Sequence, residues 1–232
     1  LGGMGRGRLG YYAQMPDARV VAVADVRVEE LRGDNALAER LEMPPHQLRW
    51  FQDYRDLAGS GAVDVVDICL PTYEHPKAVV AALEGGLPTL CEKPMALTLA
   101  DCDAMIAASR RTGKPLMIAQ CIRFWPEYDV LTNLVRNGQA GRLLSLHMTR
   151  QGAGPATGWF SEAQNSGGAI LDLHIHDIDY CLYLLGVPAR LYAQGGQGVD
   201  ARHGYDYVHT SMDYGPGLQV SVVAHWTNVQ LP

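Results

Sequence analysis

The sequence has no uninterrupted apolar stretch near the ~20 residues that a membrane-spanning helix needs, and it has no signal peptide with a charged first segment. It also has no block of like charges, because its 19 basic and 25 acidic residues are interspersed and give a net charge of -6. This pattern argues against membrane insertion and against nucleic-acid binding. We therefore expect neither a membrane nor a nucleic acid among the partners of this chain.

Disulfide and zinc-binding patterns are also missing. The five cysteines include no CxxC pair, and their number is odd. Four of them lie inside apolar runs, such as Asp67-Ile68-Cys69-Leu70. We expect buried free thiols and a reducing compartment, the cytoplasm.

Short apolar runs alternate with longer helical patterns over residues 19–120. Of the 232 residues, 47% are hydrophobic and 19% are charged, which is enough to bury the core of one domain or of two. The predicted strands cover residues 20–24, 63–70, 87–91 and 116–119, and the predicted helices cover residues 29–41, 76–83 and 99–111. Near-continuous apolar strands separated by helices indicate a parallel sheet that is covered on both faces.

The first ten residues are dense in glycine and precede a helical segment. A literal GxGxxG match uses Gly5, Gly7 and Gly10, but it leaves too few residues before Pro16 for the first helix of a dinucleotide-binding fold. The register that we prefer takes Gly2 and Gly5 as the second and third glycines and predicts a helix over residues 4–14. In that register the first glycine and the opening strand would precede the first residue, so we expect a sequence that is truncated at its N-terminus.

A dinucleotide would bind at this loop, because glycines let the backbone approach a pyrophosphate and the helix N-terminus supplies free N–H groups. The alternative interpretation of these glycine-rich residues is a flexible terminal tail. Asp25 ends the next strand, where a carboxylate accepts hydrogen bonds from the adenosine ribose and repels a 2′-phosphate. This favours NAD over NADP, although Arg27 could soften the preference. The predicted cofactor-binding residues here are Gly2, Gly3, Met4, Gly5, Asp25 and Arg27.

Three further motifs make the chain resemble one family. They are Glu92-Lys93-Pro94 after a strand, Arg123-Phe124-Trp125-Pro126, and the segment from Gly167 to Asp179 with its Asp-x-x-x-His element. Together they resemble the Gfo/Idh/MocA family, the group of glucose–fructose oxidoreductase and inositol dehydrogenase. The resemblance covers essentially the whole chain. His174 departs from it, since the family commonly has glycine at that position.

The resemblance implies an α/β protein of two domains. Residues 1–121 would form a Rossmann-type parallel-sheet domain without its first strand. Residues 122–232 would form an α/β domain for substrate binding and oligomerisation, with a large, mainly antiparallel open sheet. Because full members are longer, we expect truncation at the C-terminus as well.

The segment over residues 169–185 is predicted to be a helix with a polar stripe. At about 100° per residue, Asp172, His176, Asp179 and Tyr183 fall on one side, and His174 points away. A metal site at His174 and His176 is disfavoured, because residues two apart on a helix cannot share an ion. A buried, hydrogen-bonded core histidine is the competing interpretation of His176.

The functional interpretation is hydride transfer between a secondary alcohol and nicotinamide. His176 can take the hydroxyl proton at neutral pH, with Asp179 or Asp172 orienting it, and the Lys93 ammonium can polarise the oxygen. The resemblance implies that Lys93, Asp172 and His176 occupy the catalytic positions of the family and that Asp172 holds a substrate hydroxyl. It also implies cofactor contacts for Pro71, Thr72, His75, Glu92 and Lys93, and we expect Arg123 and Trp159 to line a sugar pocket.

Beyond residue 121 the pattern predicts a helix over residues 127–137 and strands over residues 142–150, 190–194, 205–213 and 218–226. Alternation of Leu218, Val220, Val222 and Ala224 indicates a sheet with two unlike faces, one of which could pair with another subunit. We expect a homo-oligomer, a dimer or a tetramer.

The leading hypothesis is an NAD-dependent dehydrogenase that acts on a sugar or polyol, inositol-like or an aldose, without a metal. The alternatives are a non-catalytic module that senses a dinucleotide or a sugar, and an enzyme that performs redox-assisted elimination at a glycoside.

Overall fold

The computed structural model describes residues 1–34, 36–37, 39, 45–198 and 200–227. The chain divides into two compact units, Leu1–Ala119 and Gln120–Pro232. The sequence placed the division after residue 121. Among the residues described, no helix is both long and apolar enough to cross a membrane.

The first unit alternates helices with short parallel strands. β1 (Ala22–Ala24) pairs with β2 (Arg49–Phe51), and β3 (Val66–Ile68), β4 (Thr89–Cys91) and β5 (Leu116–Ile118) form a second sheet in that order. All these pairings are parallel, as predicted for β3, β4 and β5. The helices are α1 (Gly3–Ala13), α2 (Val28–Arg32), α3 (Tyr54–Gly59), α4 (His75–Glu84) and α5 (Leu99–Thr112).

Helices α4 and α5 pack on the three-stranded sheet through a core of buried side chains. The core includes Ile68, Val79, Leu83, Cys91 and Met105. α5 begins where the Thr98 hydroxyl accepts from the Asp101 N–H, and it ends at Gly113, whose φ of 66° suits glycine. These local signals explain why the predicted bounds of α5 agree with the observed ones to within a residue.

Three elements near the start of the chain differ from the prediction, and one of them, the helix α3, was not predicted at all. The strand β2 was not predicted, because Arg49-Trp50-Phe51 is too short to show a period. The helix predicted over residues 29–41 begins at Val28, and α2 ends at Arg32. The remainder of that prediction falls partly on residues outside those described.

The second unit is built on a four-stranded mixed sheet. Its order is β6 (Ser145–Gln151), β9 (Gln219–His225), β8 (Tyr207–Asp213) and β7 (Arg190–Gly196). The β9–β8 and β8–β7 pairs are antiparallel, whereas β6 and β9 are parallel. The helices are α6 (Pro126–Arg136), the single turn α7 (Ala163–Ser166) and α8 (Ile175–Leu185), and a π-helical turn, Ile170–His174, precedes α8.

The two faces of this sheet differ as the alternation predicted. Val220, Val222 and Ala224 of β9 are buried, and the first two pack with Met212 of β8 and Cys181 of α8. The opposite face is open within this unit, and Tyr192 of β7 is 68% exposed. One face of the sheet therefore carries the core of the unit.

All five cysteines are free thiols. Cys91 and Cys181 are buried as predicted, but Cys69 and Cys102 are half-buried and Cys121 is exposed. The prediction of buried thiols was therefore wrong for Cys121, which follows β5 in a short 3-10 turn.

Candidate active site

The glycine-rich start of α1 has the geometry of the preferred register. Gly2 is the N-cap of α1, and neither Gly2 nor Gly3 has a neighbour within 4 Å of the position that a Cβ would take. Gly5 is buried, and a Cβ there would lie 3.6 Å from the Cβ of Cys69, just beyond β3. That distance is ordinary van der Waals contact, and the Leu1 Cδ2 would be closer, at 3.1 Å, so α1 packs closely at Gly5, as expected for the third glycine of the fingerprint. This start of α1 fits a bound pyrophosphate.

Asp25 lies directly after β1, with its N–H bonded to the carbonyl oxygen of Phe51 at 3.0 Å. Its carboxylate accepts from the backbone N–H of Arg27 at 2.8 Å, and the Arg27 Nε is 3.5 Å away. The Arg27 side chain is half exposed. A carboxylate held at the end of this strand is the group that a ribose requires, so the residues fit NAD.

Lys93 follows the end of β4, and the Lys93-Pro94 peptide is cis. Glu92, which precedes it, is buried. The Glu92 Oε1 accepts from Arg8 at 2.5 Å, and Oε2 accepts from the Lys93 N–H at 3.1 Å. Protein donors thus occupy both oxygens of the Glu92 carboxylate, and a cofactor contact by Glu92 stays a prediction.

His75 and Thr72 are also buried, with 1% and 3% of their surface exposed. The His75 Nδ1 lies 2.9 Å from the carbonyl oxygen of Pro94, and its Nε2 lies 2.9 Å from that of Leu70. The His75 ring therefore links the segments that follow β3 and β4. Cofactor contacts by Pro71, Thr72 and His75 stay predictions, and the side chains of Thr72 and His75 are more deeply buried than that of Pro71.

In the second unit, His174 and Asp177 face the sheet. The His174 Nε2 lies 2.8 Å from the Thr210 hydroxyl of β8, and burial lowers the pKa of His174 to about 4. Asp177 is 1% exposed and accepts from Nε and Nη2 of Arg150 on β6, both at 2.8 Å. This confirms that His174 points away from the predicted stripe. The Asp177–Arg150 pair was missed, although Asp177 lies one helical turn beyond His174.

Asp172 and His176 are half-buried on the helical segment that carries the stripe. The helix prediction over residues 169–185 was wrong at its start, where the Ile170–His174 turn has π-helical geometry. Such turns occur mostly as single interruptions of α-helices, frequently at functional sites. Asp172 lies on this turn, and His176 lies on the first turn of α8.

Asp179 and Tyr183 meet a common partner, Arg123. The Arg123 Nε donates to Asp179 Oδ2 at 2.6 Å, and Nη2 donates to Oδ1 at 2.5 Å. The guanidinium also lies 5.1 Å from the centre of the Tyr183 ring. The hydrogen bonds that Arg123 donates to Asp179 raise the pKa of Arg123. The sequence assigned Arg123 to the substrate and Asp179 to the orientation of His176, and it did not predict this pair.

Trp159 lies in a 3-10 turn, Trp159–Ser161, with its ring 5.3 Å from that of Phe160. It is 37% exposed, so its place in a sugar pocket stays a prediction.

His203 is buried, with its ring nitrogens 3.0 Å from Asp206 and from the Pro155 carbonyl. Within the described part of the chain, no group of three or more His, Cys, Asp or Glu residues could hold a metal ion.

Comparison with known families separates the same two regions. Residues 1–120 match the family described as "Oxidoreductase family, NAD-binding Rossmann fold", GFO_IDH_MocA. Residues 128–231 match the GFO/IDH/MocA C-terminal domain. The chain belongs to the GFO/IDH/MocA family. Its first unit is thus an NAD-binding Rossmann fold, and the glycine-rich start of α1 and Asp25 are parts of it.

Relatives of this GFO/IDH/MocA chain include two inositol dehydrogenases. Myo-inositol 2-dehydrogenase of Thermotoga maritima is 30% identical over 88% of this chain and 60% of its own length. The NAD(+)-dependent scyllo-inositol 2-dehydrogenase of Bacillus subtilis is 31% identical over 84% of this chain and 56% of its own length.

A solved structure with the same fold is that of a probable dehydrogenase from Thermotoga maritima, with a TM-score of 0.80 and 27% identity. The match covers 96% of this chain and 66% of that one. The chain therefore spans about half to two thirds of the length of these relatives.

Proposed function

We propose that this GFO/IDH/MocA protein is an NAD-dependent dehydrogenase that oxidises a secondary alcohol of a sugar or polyol. The observation that supports this most strongly is the segregation of side chains along the helical segment from Ile170 to Leu185. His174 and Asp177 are buried against the sheet, whereas Asp172 and His176 are half-buried. The inositol dehydrogenases among the relatives indicate the class of substrate.

Each group of the proposed mechanism has one task. NAD, when bound, supplies the acceptor for the hydride that leaves the carbon bearing the hydroxyl. Gly2, Gly3, Met4 and Gly5 would hold its pyrophosphate at the start of α1, and Asp25 would accept from its ribose hydroxyls.

The substrate is handled by three side chains in this proposal. His176 removes the hydroxyl proton, and the Lys93 ammonium donates to the oxygen as negative charge develops on it. Asp172 accepts from a neighbouring hydroxyl and so orients the sugar or polyol. All three groups act on a neutral substrate without a metal.

The test is the formation of NADH from NAD with the purified protein and a panel of myo-inositol, scyllo-inositol, aldoses and their acids. We expect turnover of at least one neutral member, and loss of turnover in Lys93→Ala and His176→Ala. NAD binding by calorimetry without turnover of any member would contradict the dehydrogenase and favour a sensing module. Release of an eliminated product without net NADH would favour elimination at a glycoside.

We also infer a homo-oligomer in a reducing compartment, the cytoplasm. The open face of the four-stranded sheet supports the homo-oligomer, because a monomer rarely leaves a broad sheet face with exposed aromatic side chains uncovered. The five free cysteines support the reducing compartment.

A further inference from the structure

We propose that Arg8 is a positioning residue for Lys93 and acts through the carboxylate of Glu92. The role assigned to Lys93 rests on the proposed function. The role assigned to Arg8 rests on contacts inside the first unit, and it can be measured without turnover.

Arg8 projects from α1, the helix whose first turn carries the glycine loop. Its Nη1 donates to Asp67 Oδ1 on β3, and its Nη2 donates to Glu92 Oε1 beyond β4, both at 2.5 Å. One planar guanidinium thus spans the carboxylates of two neighbouring strands. A lysine ammonium, which is a point charge, would not reproduce this fork.

The charge on Arg8 is strongly held in this position. Burial disfavours the guanidinium charge, but hydrogen bonding and attraction to Asp67, with a further contribution from Glu92, raise the pKa of Arg8 overall. The side chains of Arg8, Asp67 and Glu92 are all less than one-fifth exposed. Removing the cation would leave two poorly solvated carboxylates side by side.

The two contacts of Arg8 serve different segments. Asp67 has a second partner from α1, because the Tyr12 hydroxyl donates to its Oδ2 at 2.7 Å, so α1 stays attached to β3 without Arg8. Glu92 uses its other oxygen, Oε2, to accept from the N–H of Lys93 at 3.1 Å. The contact with Glu92 therefore reaches the Lys93 peptide.

The Lys93-Pro94 segment is held at a second point. The buried His75 ring lies 2.9 Å from the carbonyl oxygen of Pro94. The backbone that carries Lys93 is thus held at its N–H through Glu92 and Arg8, and at the next residue by His75. Loss of Arg8 would free the first of these points and leave the second in place.

The first test measures hydrogen exchange of the Lys93 amide by NMR in Arg8→Met, with Tyr12→Phe as the matched control on the same helix. We expect the Lys93 amide to exchange about tenfold faster in Arg8→Met. A tenfold change corresponds to the net contribution of one hydrogen bond, here the bond from Arg8 that holds the Glu92 carboxylate. Tyr12→Phe loosens α1 at Asp67 but leaves Glu92 with Arg8, so exchange at Lys93 should stay unchanged. Equal exchange in wild type and Arg8→Met would overturn the proposal.

The second test measures NADH formation with the panel member that the wild type oxidises fastest, well below the melting temperature of each variant. We expect Arg8→Met to lower kcat about tenfold or more, while KM for NAD changes less than about threefold, because misplacing a catalytic group affects the chemical step. Tyr12→Phe should keep the wild-type kcat. A kcat loss shared equally by both variants would show that Arg8 only stabilises α1.

Arg8→Lys covers the case in which Arg8→Met does not fold. We expect faster Lys93 exchange and a lower kcat than in wild type, since one ammonium cannot serve both carboxylates. If Arg8→Lys showed the wild-type Lys93 exchange rate and the wild-type kcat, the paired hydrogen bonds of the Arg8 guanidinium to Asp67 and Glu92 would not be what positions Lys93. If the wild type oxidises no panel member, the proposed function fails, and the exchange test still decides whether Arg8 controls the Lys93 peptide.

Discussion

His174 and His176 show how two like residues on one helical segment acquire different roles. His174 is buried and bonded to Thr210, whereas His176 is half-buried on the segment that carries Asp172. The difference arises because the two side chains leave the helix on nearly opposite sides. The first is part of the core, and the second is the base of the proposed mechanism.

Replacement of these residues should separate catalysis from stability. We expect His176→Ala and Lys93→Ala to cut kcat by about 10² or more, the usual range for general acid–base groups, with NAD affinity nearly unchanged. His174→Ala should lower stability by about 1–3 kcal/mol, because it leaves the Thr210 hydroxyl without its buried partner, with a mild effect on kcat. The measurements are steady-state kinetics and urea unfolding. Equal kcat losses at His174 and His176, restored by zinc, would instead favour a metal site.

The burial of His174 also predicts how stability depends on pH. Burial lowers the pKa of His174 from 6.5 to about 4, so between these values the unfolded chain binds a proton that the folded chain does not. Stability from this group is therefore complete above pH 6.5 and decreases as the pH falls towards 4.

The measurement for His174 is urea unfolding of wild type and His174→Gln at pH 7 and pH 4.5. Glutamine does not titrate, so the variant should lose less stability between the two pH values than the wild type. Other titrating groups are common to both proteins and cancel in the comparison. An identical loss of stability in the two proteins would show that the pKa of His174 is the same in the folded and the unfolded chain.

The Asp25 carboxylate should set the preference between the two nicotinamide cofactors. We expect a higher kcat/KM with NAD than with NADP, because a 2′-phosphate would meet the Asp25 charge. Asp25→Ser should narrow the difference, since it removes the repulsion and keeps the half-exposed Arg27 guanidinium nearby. A clear preference of the wild type for NADP would contradict the assignment.

At the scale of elements, the entry to the π-helical turn depends on two glycines. Gly167 and Gly168 have φ values of 82° and 63°, a region that favours glycine. A Cβ on Gly168 would overlap the backbone carbonyl oxygen of His203. The chain can therefore enter the turn that carries Asp172 only with glycine at this position.

Gly168→Ala should cost more stability than Gly158→Ala. Both residues have positive φ, so each substitution costs about 1 kcal/mol or more in backbone strain. Gly158 has nothing within 4 Å of its Cβ position, whereas Gly168→Ala adds the clash with His203. We expect a clearly lower melting temperature for Gly168→Ala. Equal melting temperatures would show that the loop before Asp172 can shift without cost.

At the scale of the whole molecule, the proposed oligomer depends on the open face of the second sheet. Tyr192 on β7 belongs to this face, and its ring is largely exposed. Leu99 at the start of α5 is 84% exposed and lies in the other unit, so it serves as a control.

We expect Tyr192→Glu to shift the mass measured by light scattering from an oligomer to a monomer, because it places a charge in an interface that would be desolvated. Leu99→Glu should leave the mass unchanged. A wild-type monomer at all concentrations, or an oligomer that survives Tyr192→Glu, would contradict association through this face.

The sequence by itself determined the alternation of parallel strands and helices in the first unit, the two unlike faces of the second sheet and the direction of His174. Each of these follows from periodicity or spacing along the chain, which the backbone geometry converts directly into faces and ends of elements. The Glu92-Lys93-Pro94 and Asp172-x-x-x-His176 motifs added the family, which the comparisons confirm.

Only the tertiary structure decided the partners of the polar side chains. Glu92 binds Arg8, His75 links two strand ends, and Arg123 binds Asp179, although the sequence assigned the first two to the cofactor and Arg123 to the substrate. The tertiary structure also decided that β6 lies parallel to β9. A pattern along the chain shows which residues share a face, but hydrogen bonds and strand neighbours join residues far apart in sequence. Their distances become defined only when the elements pack.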